Sequence, residues 1–155
     1  SGGCSMARAK PDSRADYAEF LPITTRWMDN DLYNHVNNVV YYSFFDTAVN
    51  EFMVRNGVLD LKGDPVNWLA VETGCNFFKP LSFPDKVQCG LRITQLGRSS
   101  VRYELGIFRE DDELAAAQGF FINVACASEN HKPISIPAAA RTVFERVLRT
   151  PKVPS

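Results

Sequence analysis

The 155-residue chain carries a formal net charge of −1, 45% hydrophobic residues and four cysteines. That is enough for one globular domain with a sizeable core and short for two. The near-neutral balance removes any electrostatic case for nucleic acid or an anionic membrane as partner, and no window approaches the roughly 18 uninterrupted apolar residues of a membrane helix.

Cys4, Cys75, Cys89 and Cys126 are far apart. They form no CxxC pair and no Cys/His spacing suited to zinc, so neither a metal site nor a redox cofactor is expected. Three of them sit in apolar, strand-like stretches, as reduced buried thiols do, which suits a reducing, cytoplasmic compartment. Ser1 to Ser5 precede Met6 and read as a tag remnant, and SGGCSM lacks the apolar region of a secretory signal. Residues 1–18 are expected to form a flexible tail, leaving residues 19–150 as a single domain.

Residues 20–27 predict a first strand, with Ile23, Thr24 and Thr25 supplying β-branching. A polar knot follows, MDNDLYNHVNN, and reads as a loop. From Asn38 the period changes. Tyr41, Phe44, Phe45, Ala48 and Phe52 fall at i, i+3, i+4, i+7 and i+11, one apolar stripe of a long helix. Asn37 or Asn38 would cap its start, and Asn56-Gly57 would stop it. Residues 69–78 predict a strand with Leu69, Val71, Thr73, Cys75 and Phe77 on one face. Val87, Cys89, Leu91 and Ile93 then alternate with polar or small residues, as do Val101, Tyr103, Leu105 and Ile107 after a turn at 96–99. A second turn at 109–112 leads to a long last strand over 114–127, and residues 137–148 read as a final helix behind Pro137. Three strands joined by short turns make an antiparallel meander. One long apolar helix against one antiparallel sheet is an α+β layout, and the sheet must curl around so apolar a helix to cover it. This is the hotdog arrangement, with about five strands around one central helix. A ferredoxin-like sheet would need a second helix between its middle strands.

The chemistry concentrates in residues 24–46, where Asp29, Asp31, His35, Asn37 and Asn38 stand just before the helix. The first turn of a helix presents unpaired N–H groups at the positive end of its dipole. Such donors can stabilise an oxyanion developing on a carbonyl. A carboxylate on the preceding loop can face that carbonyl as nucleophile or as base for a water.

The segment DNDLYNHVNNVVYYSFFD resembles the signature of the 4-hydroxybenzoyl-CoA thioesterase-like branch of the hotdog superfamily. Downstream, NFFKPLSFPDKVQCGLRITQLGRSSVRYEL and PISIP extend the resemblance over roughly residues 20–148. It implies hydrolysis of an acyl-CoA thioester to a carboxylic acid and CoA, with CoA as part of the substrate and no separate cofactor. It implies Asp31 as the catalytic carboxylate, the backbone N–H of Asn38 as oxyanion donor, and His35 as the loop histidine that orients Asp31 or bonds the loop. Tyr42 and Asp46 match the helix tyrosine and acidic residue; Arg98, Ser99, Ser100 and Lys132 are candidates for CoA contacts, with phosphate favouring arginine and hydroxyl donors. Asp46 stands where glutamate is usual and Val49 where arginine is frequent. A homodimer or homotetramer is implied, with half-sites completed by the partner. The rival readings are an acyl-ACP thioesterase and a hotdog binding module of weak activity; a hotdog dehydratase would want a catalytic histidine paired with a distant acid.

Overall fold

The computed structural model describes residues 10–150. Its elements run β1 (Glu19–Thr24), α1 (Asn38–Arg55), β2 (Val66–Phe77), β3 (Lys86–Leu96), β4 (Ser100–Arg109), β5 (Ala117–Ala127) and α2 (Ala138–Arg146). The five strands form one antiparallel sheet in the order β1-β3-β4-β5-β2. The meander β3-β4-β5 is as the turns predicted. The sheet curves around α1 as a hotdog fold.

The helix has the cap its sequence offers. Asn37 is the N-cap, its side chain accepting from the Val39 N–H at 3.0 Å. At the other end the chain leaves the helix through Asn56 into Gly57, at φ +73°. The stripe of Tyr41, Phe44, Phe45, Ala48 and Phe52 is buried, joined by Val49 and Met53. It meets the alternating residues Cys89, Leu91, Ile93, Tyr103, Leu105 and Ile107, all with no exposed surface. Phe45 approaches β5 so closely that a Cβ on Gly119 would lie 2.5 Å from its ring.

Two expectations change. The pairing of β2 with β5 slips between Ala70 and Glu72, leaving Val71 as a bulge. One extra residue exchanges the faces of a strand. Trp68 therefore packs against Phe144 of α2 and Leu69 is exposed, while Cys75 and Phe77 beyond the bulge do turn toward the helix side. The single alternation predicted from Leu69 to Phe77 is interrupted there.

The second concerns residues 10–18, which the sequence assigns to a flexible tail. They lie as a strap on the face of the sheet away from α1. Tyr17 is 7% exposed and covers Gly90 and Gly106, where a Cβ would come within 2.8 and 2.7 Å of its atoms. Arg14 donates to the carbonyls of Arg109, Glu110 and Asp112, and buried Arg92 binds Asp12 and the Asp16 carbonyl. A polar, mixed-charge segment reads as unstructured when the sheet face it complements is out of view. The tag residues 1–5 lie outside the described residues.

Candidate active site

The loop between β1 and α1 is held from below by Asp29. Its carboxylate has no exposed surface and accepts from the Arg26 backbone N–H and guanidinium, and its carbonyl accepts from the Asn37 N–H at 2.8 Å. Asp29 is thus structural, anchoring the cap of α1. The loop is also stitched to the β2–β3 connection. Val36 N–H donates to the Leu81 carbonyl, and Phe83 N–H to Asn30 Oδ1.

Asp31 forms a turn of its own. Oδ1 accepts from the Tyr33 N–H at 2.8 Å and from the His35 N–H at 3.3 Å, and the Asp31 N–H donates to the His35 carbonyl at 2.8 Å. Two backbone donors hold one carboxylate oxygen still; Oδ2 takes no hydrogen bond from any described residue. His35 reaches Asp31 through its backbone, and its exposed imidazole bonds no described residue. The Asn38 N–H, at the first helical position, likewise has no partner among the described residues, as the geometry of a helix start dictates.

Asp31, His35 and Asn38 line one cavity of about 310 Å³ together with Val36, Tyr41, Phe77, Phe78, Lys79 and Pro80. Lys79 was not singled out in the sequence, and Tyr41 was read there as one of the α1 aromatics, core first. Tyr41 lay hidden in a stripe of core aromatics, while Lys79 stands far along the chain and arrives through the β2–β3 connection. The Lys79 ammonium is ion-paired with Asp112. That pair, with Arg109, holds the Asp112 carboxyl below the ordinary carboxylate range. Burial pushes the Tyr41 phenol up to about 12.

The other candidates lie elsewhere. Tyr42 packs edge-to-face on Phe45 and does not line this cavity. Asp46 is exposed and accepts from the Asn50 amide. Val49 is 1% exposed, inside the core. Arg98, Ser99 and Ser100 form the β3–β4 hairpin, tied by the Arg98 carbonyl to the Ile136 N–H and by the Ser99 carbonyl to the Ala125 N–H. Lys132 follows β5 at the same end, its carbonyl accepting from the Ala127 N–H. The start of β3 adjoins the Asp31 loop, so the length of that strand, roughly 30 Å at 3.3 Å per residue, separates these four residues from Asp31 within one chain.

A family model described as the thioesterase superfamily matches residues 33–116, more than half of the chain. The chain belongs to the thioesterase superfamily. The match begins just past Asp31 and takes in His35, Asn38 and the whole of α1. A solved protein from Pseudomonas aeruginosa PAO1 is 42% identical, with a TM-score of 0.89 over 92% of this chain and 100% of its own. Two more distant structures share the fold. One is a gentisyl-coenzyme A thioesterase, 23% identical with a TM-score of 0.72 over 81% of this chain and 99% of its own. The other is a 1,4-dihydroxy-2-naphthoyl-CoA thioesterase from Synechocystis, 18% identical with a TM-score of 0.72 over 81% of this chain and 93% of its own. This thioesterase therefore hydrolyses thioesters as its class of reaction.

Proposed function

We propose that this thioesterase acts on acyl-CoA, releasing a carboxylic acid and CoA, with the carboxylate of Asp31 as nucleophile or general base. The observation that carries the reading is the shared cavity, lined by Asp31, whose Oδ2 takes no hydrogen bond from a described residue, and by Asn38, whose N–H has no partner among the described residues. The thioester carbonyl oxygen accepts from the Asn38 N–H, where the helix dipole favours growing negative charge. As nucleophile, Asp31 attacks the carbonyl carbon and forms a mixed anhydride as the C–S bond breaks; water then cleaves the anhydride, releasing the acid and restoring the carboxylate, and the CoA thiolate takes up a proton. As general base, Asp31 takes a proton from the water that attacks the carbonyl, and passes it to the CoA thiolate as the C–S bond breaks. Fixing Oδ1 by two backbone donors orients the carboxylate before the substrate arrives. The chemistry needs no metal or redox cofactor. The CoA thioesters named for the two distant relatives support CoA as the carrier.

We further propose a homodimer built on β2, in a reducing, cytoplasmic setting that suits the free thiols of Cys75, Cys89 and Cys126. Among the described residues β2, at the sheet edge, pairs only with β5, and a 12-residue edge of this kind is a ready template for another strand. Apolar side chains beside the cavity are left bare, Leu32 at 98% and Tyr33 at 80% exposure, as at surfaces that meet another molecule. Antiparallel pairing of β2 with its own copy would bring the end carrying Arg98, Ser99, Ser100 and Lys132 in one subunit beside the Asp31 end of the other. CoA would then lie across the two subunits.

The test is thiol release from a panel of long aliphatic, short branched and aromatic acyl-CoAs, for the wild type and Asp31→Ala. Turnover that falls about 10²–10⁴-fold in the variant, the range for a positioned base, supports the reading. No release from any acyl-CoA moves the substrate to acyl-ACP, and release that survives the substitution removes Asp31 from the mechanism.

A further inference from the structure

Tyr41 follows Asn38 by three residues, and residues so spaced share one face of a helix. Helical side chains lean toward the N-terminus, so a ring at position 41 covers the turn that begins at Asn38. This ring is 2% exposed and is clamped edge-to-face by Phe44 at 5.8 Å and Phe77 at 5.1 Å between centroids. Its hydroxyl donates to no acceptor among the described residues. A buried tyrosine ordinarily finds a partner for its polar tip. Here the residue lines the Asp31 cavity, where a bound substrate can supply the acceptor.

We propose that the Tyr41 O–H is a second hydrogen-bond donor to the thioester carbonyl oxygen, completing with the Asn38 N–H a two-donor oxyanion hole; the proposal rests on the thioesterase reading of the Asp31 cavity. No proton changes hands. The phenol keeps its hydrogen and its bond to the carbonyl oxygen tightens as charge gathers there, then relaxes when the C–S bond breaks. With burial pushing the phenol up to about 12, it stays protonated at working pH. The clamp of Phe44 and Phe77 fixes the donor in advance, which is what makes such a hole effective. Serving as packing alone, Tyr41 would do as well with phenylalanine.

Tyr41→Phe removes the hydroxyl and keeps the ring. The expected result is a kcat lower by about 10²-fold, as for loss of one oxyanion donor, with KM and melting temperature little changed. Tyr103→Phe deletes another buried hydroxyl, one with no hydrogen-bond partner among the described residues and away from the cavity, and should leave kcat alone. A fluorinated tyrosine at position 41 guards against misfolding, since it keeps the ring and lowers the phenol pKa. Its high-pH limb of kcat should move to lower pH. Unchanged kcat in Tyr41→Phe, a rise in KM alone, or an unmoved limb each overturn the proposal. If Asp31→Ala abolishes turnover in the same assays, only the role of Tyr41 falls; if Asp31→Ala keeps it, the reading of the cavity falls too.

Discussion

The two ends of the sheet are built differently. At the Asp31 end the polar groups are already oriented by the chain itself: Asp29 anchors the cap, two N–H groups hold Asp31 Oδ1, and aromatic rings clamp Tyr41. At the far end, the hairpin of Arg98, Ser99 and Ser100 is fastened by its backbone, while the Arg98 side chain stays exposed. Rigid, partly buried groups suit steps in which geometry sets the rate. Exposed cations on a fixed turn suit the holding of a charged, flexible ligand. The contrast implies that substitutions at the first end act on kcat and those at the second on KM.

The largest effect tests the first half of that contrast. Asp31→Asn keeps the Oδ1 hydrogen bonds and should lower kcat by about 10²–10⁴-fold in steady-state assays while KM stays within a few-fold. A change confined to KM would erase the difference between the ends. Next is a perturbation of neither end. Gly106→Val drives side-chain atoms into the Tyr17 ring and should destabilise by about 1–3 kcal/mol in denaturant melts, as overpacking does, with kcat of the folded enzyme unaltered.

The strap face also carries a pH signature. Burial works against the Glu104 charge, yet hydrogen bonds from Arg92, Arg102 and Thr94 outweigh it and hold the carboxyl below its ordinary value. A lowered folded pKa stabilises fully above the unfolded value of about 4.3, and that share is lost as pH falls through the folded one. Glu104→Gln should therefore lower the melting temperature at neutral pH and flatten its decline below about pH 4. A decline as steep as in the wild type would place the acid sensitivity elsewhere.

Smaller effects sharpen the comparison. Asn37→Ala removes the cap of α1 and should cost about 1 kcal/mol in thermal or denaturant melts. Because the cap sets the register of the Asn38 N–H, kcat should fall with it. Arg98→Ala should raise KM for CoA substrates only a few-fold, within about 1 kcal/mol, and the rise should shrink with added salt. A salt-independent loss of kcat there would make the hairpin part of the catalytic machinery.

Much of this was legible in the chain because it is local. Period and capping residues dictate α1, and alternation with short turns dictates β3, β4 and β5. The clustering of Asp31, His35 and Asn38 follows from seven consecutive steps of one loop, so that part of the cavity could be read before any fold was known. Pairs distant in sequence could not. The positions of β1 and β2 at opposite edges, the bulge at Val71, the strap carrying Tyr17 and the arrival of Lys79 beside Asp31 all depend on long-range packing. Tyr41 shows the boundary most clearly. The helical period marks it as core, which its ring is, but only the tertiary structure decides that the residue also lines the Asp31 cavity, because periodicity reports the direction of a Cβ and not the surroundings of an atom several bonds beyond it.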